Sequence, residues 1–153
     1  MNERLNQAVV NAVEEIFQTV LGIKVNNNEP VEKDINENKY ELNVVISILG
    51  EISGTITLKS SIKLSSLIAS KMLGVEVEED SDDMKDAARE FLNIIMGAIK
   101  RHYSSENPFD ISVPILIIGG DCVVYTKARR SDKVSLIDFN YNGDHFCVEI
   151  YLK

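Results

Sequence analysis

Apolar residues recur at three- and four-residue steps near the start of the chain. Leu5, Ala8, Val9, Ala12, Val13, Ile16, Phe17, Val20 and Leu21 make one stripe, which predicts an amphipathic helix. Gly22 stands where a left-handed helix end is wanted. The polar stretch 26–38, with three consecutive asparagines, reads as an exposed loop. Residues 40–49 and 52–58 then read as two strands joined at Gly50-Glu51. In the second, Ile52, Gly54, Ile56 and Leu58 alternate with Ser53, Thr55 and Thr57, the period of a half-buried strand. Gly54 marks a bulge or a close backbone approach. Ser60 or Ser61 caps a helix running to about Leu73, with Gly74 at its end. A second long helix spans roughly 82–103. Beyond Pro108 the pattern is β again: 111–118, a turn at Gly119-Gly120-Asp121, and 122–126. Finally 134–141 and 145–152 flank Asn142-Gly143, a strong hairpin signal. The order predicts an α+β fold, with long amphipathic helices packed on a mainly antiparallel sheet. Each half opens with a long helix and continues into β-structure, so a degenerate internal two-fold repeat is also expected.

Length and charge narrow the function classes. The 153 residues suit one domain over 1–153. Acids outnumber bases 24 to 16, a net charge of −8, which argues against a nucleic-acid-binding face. No apolar run approaches the ~18 residues of a membrane helix. The chain starts on an amphipathic pattern rather than a signal peptide, so a cytoplasmic protein is expected. Seven acids and one lysine fall between Glu76 and Asp86, so the charge gathers just ahead of the second long helix. Asp82 and Asp83 there suit the positive end of the helix macrodipole. The acidic run is read first as a solvated loop, with a role in partner docking as the second reading.

The usual catalytic signatures are missing from the sequence: no nucleophile elbow, no phosphate-binding glycine loop, no metalloprotease helix. Cys122 and Cys147 lack zinc-ligand spacing and read as structural thiols in strands. His102 reads as a packed residue on the apolar side of its helix, and His145 as a surface residue after a turn. The second long helix is more informative. Met84, Ala87, Ala88, Phe91, Leu92, Ile95, Ala98 and Ile99 fill one apolar arc, while Glu90, Asn93 and Gly97 fall opposite. Asp86 and Lys100 extend that outer stripe. Gly97 costs the helix about 1 kcal/mol relative to alanine, which close approach of another surface would offset. The Glu-x-x-Asn spacing alone is unspecific. With 14 glutamates and 13 asparagines, roughly one such pair arises by chance, and Glu3–Asn6 is a second instance.

Longer blocks are more specific. Val20-Leu21-Gly22-Ile23, Gly50-Glu51-Ile52-Ser53-Gly54-Thr55-Ile56 and Ala69-Ser70-Lys71-Met72-Leu73-Gly74 come first. The run from Asp86 to Lys100 and then Ile111-Ser112-Val113-Pro114 follow. In this order and spacing the chain resembles the CheX-type chemotaxis phosphatases, relatives of CheC and of the flagellar-switch phosphatase FliY. The resemblance implies that Glu90 and Asn93 are the active pair. It implies dephosphorylation of the aspartyl phosphate of a CheY-like response regulator, with Asn93 orienting the attacking water and Glu90 pairing with a regulator lysine. Asp86, Gly97 and Lys100 would then contact the partner. No intrinsic cofactor is implied, since Mg²⁺ is expected on the regulator, and a homodimer formed through β-structure is. Glu3 and Asn6, at a chain start expected to fray, do not match the family pattern. Arg89 and Phe91 depart from the small or aliphatic neighbours common in the family, which bears on partner choice. The alternative is a non-catalytic adaptor that binds a response regulator or a flagellar-switch component through the same helix.

Overall fold

Among the described residues, three helices form where the apolar stripes and their caps dictate. The computed structural model describes residues 2–34, 40–104, 106–119 and 132–153. In it α1 spans Glu3–Leu21, α2 Ile62–Leu73 and α3 Asp82–Tyr103. Each starts on a side chain that accepts from an otherwise orphaned amide. Asn2 takes Leu5 N at 2.9 Å, Ser61 takes Leu64 N at 3.0 Å and Ser81 takes Met84 N at 3.2 Å. The chain start is therefore a capped helix and not the frayed end expected. Gly22 and Gly74 close α1 and α2 at φ +67° and +69°, where a Cβ would be strained.

The strands are β1 (Asn26–Asn27), β2 (Val31–Asp34), β3 (Leu42–Gly50), β4 (Gly54–Ser60), β5 (Phe109–Ile111), β6 (Ile115–Ile118), β7 (Lys133–Tyr141) and β8 (Asp144–Leu152). They build one sheet in the order β1-β7-β8-β4-β3-β5, with β2 also on β7 and β6 also on β3; the pairings are antiparallel. The polar stretch read as a loop thus contains two exposed edge strands, because the free edge of β7 supplies their hydrogen bonds. The single strand expected over 111–118 is instead broken in two. Ile48 faces Ile111 and Val45 faces Ile115, so one extra residue bulges between them. Ser112 Oγ accepts from Ser47 N at 2.9 Å inside the bulge, and Pro114 has no amide to give the ladder. The opposite edge does the same at Pro30: Asn27 faces Phe139 and Val31 faces Leu136. Each half thus runs helix, broken edge strand, hairpin, and each edge strand joins the other half's hairpin. This is a correspondence of topology; a duplication behind it remains a proposal. The segment 122–126 and the turn residues Gly120 and Asp121 lie outside the described residues.

The helices cover one face of the sheet. Leu42, Val44, Ile46, Ile56, Leu58, Ile137, Phe139, Phe146, Val148 and Ile150 meet the apolar stripes of α1, α2 and α3 in one cluster. Strand β4 lies inside the sheet and is buried along its whole length, not half-buried as its alternation suggested. On the far face Lys59 Nζ and Glu149 Oε2 meet at 3.0 Å between β4 and β8. Gly54 is the close approach expected: an added Cβ would come 1.9 Å from Tyr151 O of β8. Asn142 and Gly143, at φ 50° and 88°, make the two-residue turn of the β7–β8 hairpin. Cys147 is fully buried in β8, and burial first, with nearby carboxylates, pushes its thiol up to about 12. It is a protonated packing residue at neutral pH. Among the described residues, no helix is long and apolar enough to cross a membrane.

Candidate functional site

The acidic run ahead of α3 is tied down at one apolar residue. Val77 is buried; its carbonyl accepts from Ser66 Oγ at 2.5 Å and its amide donates to Ser70 Oγ at 2.9 Å, both from α2. Its neighbours Glu76, Glu78, Glu79 and Asp80 remain exposed. Ser81 then starts α3, with Asp82 and Asp83 in the first turn, as the macrodipole favours.

Helix α3 turns its apolar arc inward as the spacing requires. Met84, Phe91, Leu92, Ile95, Ala98 and Ile99 are buried, together with Met96. Phe91 meets Phe17 of α1 edge-on at 5.3 Å, so it belongs to the core, and its departure from the family pattern does not touch a partner. On the outer side Glu90 is exposed and Asn93 half-buried, one helical step apart, with Cβ atoms about 5–6 Å apart at that spacing. Among the described residues neither side chain has a hydrogen-bond or ion-pair partner. The carboxylate and the amide therefore keep their full hydrogen-bonding capacity for something outside the fold.

The other three residues of the stripe differ among themselves. Asp86 is exposed but engaged, with Arg89 Nη2 donating to Oδ1 at 2.5 Å. Gly97 sits one turn past Asn93. A methyl there would meet only Arg101 Nη1, at 3.9 Å, so the chain's own packing does not demand glycine. Lys100 leans toward the sheet edge, its Nζ 5.6 Å from the centre of the Phe109 ring in β5. The cation that continues the ridge is Arg101, which spacing from Gly97 and Asn93 in steps of four could have singled out.

Two further expectations change. His102 is not packed: it is exposed, with Nε2 3.1 Å from Glu15 Oε2 of α1. Asn6 is buried and its Oδ1 accepts from Ser135 Oγ of β7 at 2.9 Å, so Glu3 and Asn6 form no exposed pair like Glu90 and Asn93. His145 is a surface residue as read. Among the described residues, no group of three or more His, Cys, Asp or Glu is placed to hold a metal ion.

Comparison with known proteins gives this ridge a setting. No curated protein sequence matches the chain significantly. A CheX crystal structure from Desulfovibrio desulfuricans is similar, with TM-score 0.85, 25% identity, and 97% of this chain and 99% of that one covered. CheX from Vibrio vulnificus superposes at TM-score 0.84 with 17% identity, over 97% and 99%. A CheX–CheY–BeF3–Mg²⁺ complex from Borrelia burgdorferi gives TM-score 0.74 with 19% identity, over 97% of each chain. At those two identities the likeness is one of fold. The model of the family Chemotaxis phosphatase CheX matches residues 42–140, which include β3, β4, α2 and all of α3. With most of its length matched in this way, the chain belongs to the CheX family of chemotaxis phosphatases.

Proposed function

We propose that this protein hydrolyses the aspartyl phosphate of a CheY-like response regulator, using Asn93 and Glu90 on the outward ridge of α3. The observation that carries the reading is the pair itself: an amide and a carboxylate, unpartnered among the described residues and one step apart on a helix inside the matched segment. An acyl phosphate hydrolyses unaided, so a phosphatase need only hold water in line and stabilise that arrangement. An amide suits this role because it donates and accepts at once. Asn93 would orient the water, Glu90 would pair with a regulator lysine and set the docking register, and Mg²⁺ would belong to the regulator. This chain supplies no cofactor of its own in that scheme, and a receiver-domain substrate implies a cytoplasmic protein. The test is phosphate release from a phosphorylated receiver domain with and without the protein. Acceleration supports the phosphatase; tight binding without acceleration supports the adaptor reading.

Gly97 provides a check in which stability and activity move in opposite directions. Alanine fits sterically, so Gly97→Ala is expected to stabilise the fold by about 0.5–1 kcal/mol. The same methyl stands where a partner would approach Asn93, so receiver affinity is expected to fall. Thermal melting and phosphate-release kinetics on one sample read both. A variant equally active and more stable would remove Gly97 from the docking face.

We also propose a homodimer through the β6 edge. Val113, Ile115 and Ile118 are exposed there at 81%, 60% and 40%, and an apolar outer edge strand invites pairing with a second copy. Ile115→Lys is expected to convert a dimer into a monomer in sedimentation experiments at micromolar concentration. A wild-type monomer under those conditions would overturn this proposal.

A further inference from the structure

Arg101 extends the ridge one turn beyond Gly97. At 100° per residue it points within about 20° of the direction of Glu90. Its side chain does not wave freely. Nη2 donates to both carboxylate oxygens of Glu15, at 3.2 and 3.1 Å, and Nη1 lies beside the bare backbone of Gly97. Glu15 is fixed in turn by His102 Nε2 at 3.1 Å. Partial desolvation pulls the Glu15 carboxyl upward, but the hydrogen bonds and charges of His102 and Arg101 outweigh it and hold the group below its ordinary value. The clasp between α1 and α3 is therefore charged at neutral pH. It is fully present above the ordinary carboxylate value and fades as pH falls through the lowered one.

What the clasp leaves over matters more than what it binds. A guanidinium has five N–H donors in a rigid fork, and Glu15 occupies one nitrogen. Among the described residues Nε and Nη1 make no hydrogen bond, and the side chain stays 61% exposed. Lys100, the other cation of this turn, is held over Phe109. Arg101 thus presents a pre-aimed positive fork at one end of a ridge whose other charged members are Glu90, unpartnered among the described residues, and Asp86, paired with Arg89, on a chain of net charge −8. Such a surface repels an anionic target unless a cation is placed at the contact.

We propose that Arg101, oriented by Glu15, is a docking residue that hydrogen-bonds a carboxylate on the rim of the receiver's phosphorylation site and so selects among receivers. This inference rests on the phosphatase reading. The occupant is a rim carboxylate rather than the phosphoryl group, because the fork lies beside Gly97, a full turn of about 5.4 Å from Asn93. Glu15 is a positioning residue that acts through Arg101.

The test uses the full chain and a receiver domain phosphorylated with acetyl phosphate. Arg101→Ala is expected to raise KM about tenfold with kcat within about twofold, and to flatten the dependence of KM on ionic strength. Arg101→Lys keeps the charge without the fork and is expected to raise KM about threefold. Glu15→Gln, which loosens the clasp, is expected to do the same with kcat unchanged. Unchanged KM and salt dependence in Arg101→Ala would overturn the proposal while leaving the phosphatase intact. Equilibrium binding to the receiver with and without beryllofluoride separates the sources of negative charge. Equal weakening of both forms supports a rim carboxylate, and weakening confined to the activated form overturns it. If wild type binds receivers without releasing phosphate, the phosphatase reading fails alone and the binding arm still decides Arg101. If it binds none, both fail.

Discussion

An Asn93→Ala protein is expected to release phosphate from a phosphorylated receiver about 100-fold more slowly than wild type, a loss of about 2.7 kcal/mol of transition-state stabilisation. The fold gives this variant little reason to fail. Asn93 is half-buried on the outer side of α3 and unpartnered among the described residues, and alanine is the better helix former. The melting temperature should therefore stay within roughly 2 °C of wild type or rise slightly. Asn93→Asp sharpens the reading. It keeps the shape and an acceptor but loses the donor and adds a negative charge beside a phosphoryl group, so it should be at least as slow. Glu90→Ala should act differently. A pairing that sets docking register is present in ground and transition states alike, so KM should rise more than kcat falls. Wild-type phosphate release by a folded Asn93→Ala protein would remove Asn93 from the mechanism.

What could be read from the sequence follows the range of the interactions that decide each element. Helix α3 was legible to its ends, because its stripe and its acidic first turn are local and agree, and the structure adds the cap at Ser81. Its outer face was legible at Glu90, Asn93 and Gly97, since a long regular helix turns spacing into direction, but Lys100 was read onto it where Arg101 continues the ridge. The edge strands β1 and β2 were not. Asn26, Asn27, Glu32, Lys33 and Asp34 have no strand signature and no buried face, and the unpaired edge of β7, about a hundred residues later, orders them. The break between β5 and β6 had a signal in Pro114, which an unbroken central strand does not tolerate. His102 stands at the border of the apolar arc, where the helix pattern is indifferent; Glu15 on another helix draws it to the surface. The place of Arg101 on the ridge was open to four-residue spacing, but its orientation was not, since that same distant carboxylate sets it.

Phe17→Ala is expected to cost the fold about 3–5 kcal/mol, measured as a shift in urea midpoint at constant m. Phe17 is fully buried and joins the layers through aromatic contacts. It meets Phe91 of α3 at 5.3 Å edge-on and stacks on Phe146 of β8 at 4.9 Å; Phe146 in turn stacks on Phe139 of β7 at 5.1 Å. Removing the ring therefore takes away two specific aromatic contacts in addition to buried apolar area. The site is poorly placed to collapse, because a small void already lies there, bordered by Phe17, Phe91, Phe146 and Ile68. Phe17→Leu keeps much of the volume and should cost about 1–1.5 kcal/mol, so the difference between the two variants isolates the cavity from the loss of aromaticity. The consequence reaches the ridge through Phe91, whose neighbour in sequence is Glu90: a loosened α3 holds the carboxylate and amide less firmly against a receiver. Phe17→Ala should thus lose phosphate-release activity on warming well before wild type, while Asn93→Ala loses it at every temperature. A midpoint shift below about 1 kcal/mol would show that α1 is not what holds α3 in place.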